Sequence, residues 1–97
     1  MNQRFQPEPE ASAELEDAAL WYEQKRAGLG VEFVQAVDAA LHQVARWPAI
    51  GERVVNVPDD VPARRWPVNR FPYHVIYMEW EAHDSRERGF WFSRINP

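Results

Sequence analysis

The stretch RRWPVNRFPYHVIY, at residues 64–77, places three arginines, two tyrosines and no acidic residue in one segment that leads into an apolar strand. Side chains alternate along residues 73–80, and both alternating sets are largely apolar, which is typical of a strand at the centre of a sheet. Solvated strands ordinarily mix charge signs. Cationic and aromatic groups without an acid therefore indicate a surface for an anionic target, and both a phosphate backbone and an acidic partner protein fit.

The segments on either side of this stretch predict further strands and loops. Residues 64–68 predict a strand that Pro67 interrupts, which favours an edge or bulged strand. Residues 48–62 are rich in proline and aspartate and predict a loop, with a short strand formed by the valines at residues 54–57. Residues 82–94 predict a charged turn followed by an aromatic tail.

Two amphipathic helices precede the strands. In residues 11–27 the apolar side chains recur at the spacing of one helix face, and Gly28 is a typical C-terminal stop. A second apolar stripe covers residues 30–47. The link between the helices is so short that they must form an antiparallel hairpin. With a short extended segment at residues 3–7, the pattern predicts an α+β fold in which the hairpin packs on one face of a small antiparallel sheet.

Length and charge set further limits. The 97 residues, of which 45% are hydrophobic, predict a single domain over residues 1–97. The net charge of −4 argues against a general nucleic-acid binder. Ten arginines stand against one lysine, Lys25. Arginine is the better residue for paired contacts with carboxylate or phosphate, so this bias fits a partner-binding role, and compositional drift in a GC-rich genome explains it equally well.

The sequence predicts a cytoplasmic protein without a cofactor or a metal. The N-terminal residues lack the apolar core of a signal peptide, and no run approaches the roughly 20 apolar residues of a membrane span. There is no cysteine, and the three histidines lack the spacing of a metal site. The carboxylates of the first helix are not spaced as a catalytic pair. A glycine-rich phosphate loop and a nucleophile elbow are both missing from the sequence.

Several landmarks occur in a characteristic order. An aromatic pair lies within LEDAALWYE at residues 15–23, and the hairpin joint GLGVEF follows at residues 28–33. Pro48 and Gly51 end the second helix, RFPYHVIY forms a strand at residues 70–77, and a last motif runs over residues 82–91. This set resembles the RelE/ParE family of toxins from bacterial toxin–antitoxin modules. The resemblance covers residues 3–94 and implies an N-terminal strand, a helix hairpin and a small antiparallel sheet.

The region before His83 departs from the family pattern. Typical members place a turn and a complete apolar strand between the positions that correspond to Tyr77 and His83, whereas only residues 78–82 fill that space here. The resemblance therefore implies a shortened C-terminal strand region and a first strand that lacks its partner. A trimmed sheet, an exchange of elements between two chains and an inactive relative all fit this departure.

Within the family, the resemblance implies two kinds of activity. RelE-like members are ribosome-dependent endoribonucleases of messenger RNA. Their chemistry needs cations around the phosphate together with a proton donor and acceptor. In this chain the catalytic candidates for that activity are Arg64, Arg65, Arg70, Tyr73 and His83. ParE-like members instead act on DNA gyrase by protein contact, without a catalytic set of their own.

The ParE-like branch fits the sequence better. The net charge is acidic, no lysine follows Lys25, and no tyrosine follows Tyr77. We therefore expect a ParE-like toxin that is neutralised by a cognate antitoxin. The alternatives are a RelE-like endoribonuclease that acts on the ribosome and messenger RNA, and an inactive toxin-fold protein that only binds an antitoxin.

The resemblance also implies a surface for the antitoxin or the target, in an oligomer of the chain with itself or with the antitoxin. Antitoxin tails are commonly acidic and fold on binding. The residues predicted to bind them are Arg64, Arg65, Arg70, Tyr77, Arg86, Arg88, Trp91 and Arg94.

Overall fold

The structure, a computed structural model, describes residues 3–55, 57, 62–81 and 88–96, and it is an α+β fold. Two packed helices, α1 and α2, are followed by four antiparallel strands, β2 to β5. The helix pair and the antiparallel sheet were predicted from the sequence, whereas the full length of the last strand was not. A further strand, β1, pairs in parallel with β5, and the sheet order is β1-β5-β4-β3-β2. The elements are β1 (Gln3–Pro7), α1 (Pro9–Lys25), α2 (Leu29–Arg46), a 3-10 turn (Pro48–Ile50), β2 (Glu52–Arg53), β3 (Ala63–Pro67), β4 (His74–Glu81) and β5 (Arg88–Asn96).

The joint between the two helices is held by one carboxylate. Glu23, near the end of α1, accepts hydrogen bonds from the backbone N–H groups of Gly28 at 2.8 Å and Gly30 at 2.9 Å. Gly28 has a φ of 89°, which glycine adopts without steric cost. A Cβ at Gly30 would lie 2.5 Å from the carbonyl oxygen of Ala19, so glycine allows the helices to approach. Neither helix in the described part of the chain is long and apolar enough to cross a membrane.

The core lies between the hairpin and one face of the sheet. Phe33, Val37 and Ala40 form the buried stripe of α2, as the helical spacing predicted. They pack against buried side chains of the sheet and of α1, which are Ala11, Ala18, Val68, Val75, Phe92 and Ile95. Burying such apolar surface contributes roughly 25 cal/mol per Å².

The expected shortening of the C-terminal strand region is wrong. Residues 88–96 form β5, a nine-residue strand that pairs with β4 over most of its length and with β1 on its other side. The first strand therefore has its partner within the same chain. The aromatic tail becomes a strand because Phe92 and Ile95 are both buried against the hairpin. A register shift leaves Ser93 unmatched between them, so the burial pattern departs from strict alternation.

The short strand of the connecting loop lies earlier than predicted. The valines at residues 54–57 do not form it, and β2 covers Glu52–Arg53 instead, where it pairs with β3. Val55 is 74% exposed, and residues 56 and 58–61 lie outside the described residues. The pairing begins at Glu52 because the preceding residue, Gly51, is fixed against the central strand.

Tyr77 holds Gly51 in place against the central strand. It lies on β4 and is 1% exposed. Its hydroxyl donates a hydrogen bond to the carbonyl oxygen of Pro48 at 2.7 Å and accepts one from the N–H of Gly51 at 3.0 Å. A Cβ at Gly51 would lie 2.5 Å from that hydroxyl oxygen, so the close approach requires glycine. The segment that leaves α2 is thereby tied to the centre of the sheet.

We expect Tyr77→Phe to lower the free energy of unfolding by about 1–3 kcal/mol, because it leaves a buried N–H and a carbonyl without their partner. Urea unfolding at neutral pH measures the change. Tyr73→Phe is the matched control, since the Tyr73 ring is half-buried and its hydroxyl has no hydrogen bond among the described residues. Equal losses in the two variants would contradict the role given to Tyr77.

Candidate functional site

The two adjacent arginines of β3 have different surroundings. Arg64 lies opposite Tyr77 in the register and donates from Nη1 to the carbonyl oxygen of Gly51 at 2.7 Å. Arg65 lies opposite Glu52 of β2 and binds its Oε1 through Nε at 3.0 Å and Nη2 at 2.9 Å. Successive side chains of a strand point to opposite faces, so the pair does not form one cationic patch.

Arg70 lies in the turn between β3 and β4 and points to the helix hairpin. Its φ is 74°, in the left-handed region. Its Nη2 binds Glu32 Oε1 of α2 at 2.9 Å, and Arg26 binds the same carboxylate at 3.3 Å. The hydrogen bonds from Arg70 and Arg26 lower the pKa of Glu32. Arg70 therefore fastens the turn to α2, away from the pairing that holds Arg65.

Tyr73 belongs to an aromatic cluster under this turn. The ring of Phe33 lies 5.2 Å from Tyr73 and 5.1 Å from Phe71, centroid to centroid, and Tyr22 lies 5.0 Å from both Phe33 and Phe71. Offset and edge-to-face contacts of this kind stabilise a core. The position of Tyr73 is that of a packing residue rather than of a group that faces a phosphate.

Arg94 of β5 forms the best-aligned ion pair of the described residues. Its Nε lies 3.0 Å from both carboxylate oxygens of Glu14, and its Nη2 lies 2.6 Å from Oε2. Glu14 also accepts a hydrogen bond from the backbone N–H of Ile95 at 3.1 Å. The hydrogen bond from Arg94 is the main cause that lowers the pKa of Glu14. This pair joins α1 to the last strand.

The other predicted site residues have varied outcomes. The hydroxyl of Tyr77, a residue predicted to bind the antitoxin or the target, is buried and hydrogen-bonded to Pro48 and Gly51. His83 and Arg86 lie outside the described residues. Arg88 is described only through its backbone, which pairs with β1 and β4. Trp91 is 38% exposed on β5.

The face of the sheet that turns away from the hairpin carries a further apolar row. Alternation along β4 places His74, Ile76 and Met78 there, because Val75 and Tyr77 face the helices. Met78 lies opposite Trp91, and Ile76 lies opposite Arg65. These side chains are only partly buried or exposed. We call His74, Ile76, Met78, Trp91 and Arg65 the open sheet face.

Sequence reasoning missed three members of the open sheet face. The signal is present in the sequence, since both sides of residues 73–80 are apolar, but the same pattern is typical of a central strand covered on both faces. Within the described residues neither helix packs on this side, so the second apolar row remains accessible. An apolar row with an aromatic residue and a cation beside it is suited to bind another polypeptide.

The predicted catalytic set is not assembled among the described residues. Arg64, Arg65, Arg70 and Tyr73 contact four different parts of the chain. In the same described residues no group of three or more His, Asp or Glu side chains could hold a metal ion. No protein-family model matches the chain, and no curated protein sequence matches it.

The ion pair of Glu14 gives a pH-dependent prediction. A carboxyl whose pKa is lowered by folding contributes stability above its ordinary value of 4.5 and loses it as the pH falls through the lowered value. We expect Glu14→Gln to lower the free energy of unfolding by up to about 1 kcal/mol at neutral pH, with a difference from the parent that shrinks below pH 4.5.

Urea unfolding across pH 3–7 is the measurement. Glu16→Gln is the matched control, because Glu16 is exposed on the same helix and has no ion-pair partner among the described residues. A difference between Glu14→Gln and the parent protein that stays constant from pH 7 to pH 3 would rule out the linkage.

Proposed function

We propose that this chain is the toxin of a bacterial type II toxin–antitoxin system, with a RelE/ParE-like fold and a ParE-like mode of action. It acts on DNA gyrase by protein contact in the cytoplasm, and a cognate antitoxin neutralises it. Two lines of support come together here. The residue landmarks resemble the family, and the chain forms a helix hairpin on an antiparallel sheet with β1 beside the last strand.

The open sheet face is the observation that carries a binding role. Trp91 and Met78 lie side by side, and Ile76 lies between the register positions of Arg65 and Arg94. Interfaces concentrate their binding energy in aromatic and arginine side chains that are surrounded by apolar contacts. An extended or helical acidic segment of an antitoxin can cover the apolar row and place carboxylates beside Arg65.

Arg65 can change its ion-pair partner from Glu52 to a carboxylate of another protein. The Arg65 side chain is 48% exposed and that of Glu52 is 70% exposed, so their ion pair is hydrated and contributes little to stability. A partner carboxylate that arrives with apolar contacts can replace Glu52 at small cost. This is the behaviour that an acidic antitoxin tail requires.

The same pairing argues against phosphodiester cleavage. A cleavage site needs preorganised positive groups aimed at one phosphate. Here the guanidinium groups of Arg65, Arg70 and Arg94 are each compensated by a carboxylate, and each lies against a different element. Carboxylates beside the cations repel a phosphate. Contact with a protein target is therefore the better-supported mode of action.

Induction of this chain alone in bacterial cells tests the proposed activity. We expect growth arrest with double-strand DNA breaks, measured by pulsed-field electrophoresis, and intact messenger RNA, measured by primer extension. The control is the same transcript with its start codon removed. Codon-positioned RNA cuts would establish the endoribonuclease alternative, and normal growth with neither lesion would leave only antitoxin binding.

Substitutions of Trp91 and Arg65 test whether the open sheet face binds the antitoxin. We expect Trp91→Ala to weaken binding of the antitoxin encoded beside this chain by about 2 kcal/mol, which is roughly 30-fold, because an interface anchor is lost. Arg65→Ala should have a smaller effect in the same direction. Calorimetric titration measures both affinities.

Trp47→Ala is the matched control for this titration. Trp47 is 57% exposed, and its partner is the guanidinium of Arg46 at the end of α2, so its removal should leave the affinity unchanged. Unchanged affinity in both Trp91→Ala and Arg65→Ala would remove the open sheet face from the proposal.

A further inference from the structure

A cleft of about 520 Å³ opens between α1 and the turn that precedes β4. Its walls include Trp21 and Tyr22 of α1, and Pro72 and Tyr73 of the turn, with Asp17 beside them. None of the residues of the open sheet face lines it. The cleft is therefore separate from the open sheet face, and its chemistry differs from that of the open sheet face.

The aromatic walls of the cleft favour a cation. Trp21 is 52% exposed, and its ring meets Tyr22 edge-on at a centroid distance of 5.1 Å. The ammonium of Lys25 lies 4.7 Å from the centroid of the Trp21 ring, which is an intramolecular cation–π contact. Lys25 does not line the cleft. A second cation can thus approach the aromatic walls from the side of the cleft.

Asp17 supplies the negative charge. It lies one helical turn before Trp21, so both side chains lie on the same side of α1. Glu14, the other acid of the cleft, is already bound by Arg94 and by the N–H of Ile95. Asp17 is exposed and has no hydrogen-bond or ion-pair partner among the described residues. Its carboxylate is the one available to an incoming group.

The phenol of Tyr22 remains uncharged. Burial raises the pKa of Tyr22, and the nearby Tyr73 raises it further, so the phenol stays protonated at neutral pH. The rings of Tyr22 and Tyr73 are 6.3 Å apart. The cleft thus combines aromatic side chains with the carboxylate of Asp17, which has no partner among the described residues, and this combination matches a planar cation with several N–H donors.

We propose that this cleft receives an arginine side chain of a partner protein. The guanidinium stacks on the aromatic walls and donates to the Asp17 carboxylate, while its aliphatic stem lies along Pro72 and Trp21. The proposal does not depend on the proposed toxin function. It requires a basic group in the partner, whereas the proposed antitoxin segment is acidic, and the cleft shares no residue with the open sheet face.

A polypeptide is the source of the arginine because apolar surface continues beside the cleft. Leu20, next to Trp21, is 62% exposed and borders an apolar groove of about 400 Å³ between α1 and α2. Val31 and Val34 form the other side of that groove. A partner chain can cover it, whereas a free cation cannot. Residues 1–50 also carry eight acidic and four basic side chains, which complements a basic segment.

The test is a titration followed by the five tryptophan indole N–H signals in a proton–nitrogen NMR spectrum. The probe is N-acetyl-arginine amide, and the neutral comparison is N-acetyl-citrulline amide. We expect the Trp21 signal, assigned by its loss in Trp21→Phe, to move with arginine and not with citrulline. The Trp47 signal, on an exposed ring elsewhere, is the internal control and should stay in place.

A pair of carboxylate variants identifies the anchor. Asp17→Asn should lower the affinity for the arginine probe about fivefold, which corresponds to the loss of one exposed ion pair. Asp38 is also an exposed acid, lies on α2 and pairs with His42, so Asp38→Asn should leave the affinity unchanged.

Three results would each overturn the proposal. One is an equal response of the Trp21 signal to the citrulline probe. Another is an undiminished response in Asp17→Asn, with the fold verified by circular dichroism. The third is binding of the bare guanidinium ion as tight as that of the arginine probe, which would assign the cleft to a small free cation instead of a side chain.

Discussion

The hydroxyl of Tyr77 joins the central strand to the segment that leaves α2, and both layers of the molecule depend on that junction. It binds the carbonyl of Pro48 and the N–H of Gly51, and Arg64 binds the carbonyl of Gly51 from the neighbouring strand. The junction fixes the position along β4 at which the chain enters the sheet. β2 begins at the next residue, and its register with β3 follows from that point.

Local patterns in the sequence predicted the elements whose periodicity is uninterrupted. The stripe of α2 and the alternation of β4 are regular, so the hairpin and the central strand were predictable. β5 was not, because the register shift at Ser93 puts buried Phe92 and Ile95 three positions apart, which breaks the two-residue alternation that marks a strand. The valines at residues 54–57 have high strand propensity, yet the tertiary contact of Gly51 placed the strand two residues earlier.

The environment of the arginines could not be predicted from the sequence. Arg65 meets an acid 13 positions away, Arg70 one 38 positions away and Arg94 one 80 positions away. An excess of arginine in one segment indicates only that cations are present, whereas their neutralisation depends on how distant elements pack. The result is a molecule with two distinct surfaces. One is apolar and carries Arg65 in a solvent-exposed ion pair, and the other is aromatic and carries Asp17, which has no partner among the described residues.

The parallel pairing of β1 with β5 has a consequence for the order in which the molecule is completed. Gln3 pairs with the position of Arg88, and the N–H of Glu8 binds the carbonyl of Phe92. The first strand therefore has no template until the last strand exists, although the hairpin between them can form from neighbouring residues. On a ribosome that is still translating this chain, β1 emerges before β5 and reaches its final pairing only after β5 has followed, because the loop between them includes both helices and strands β2 to β4.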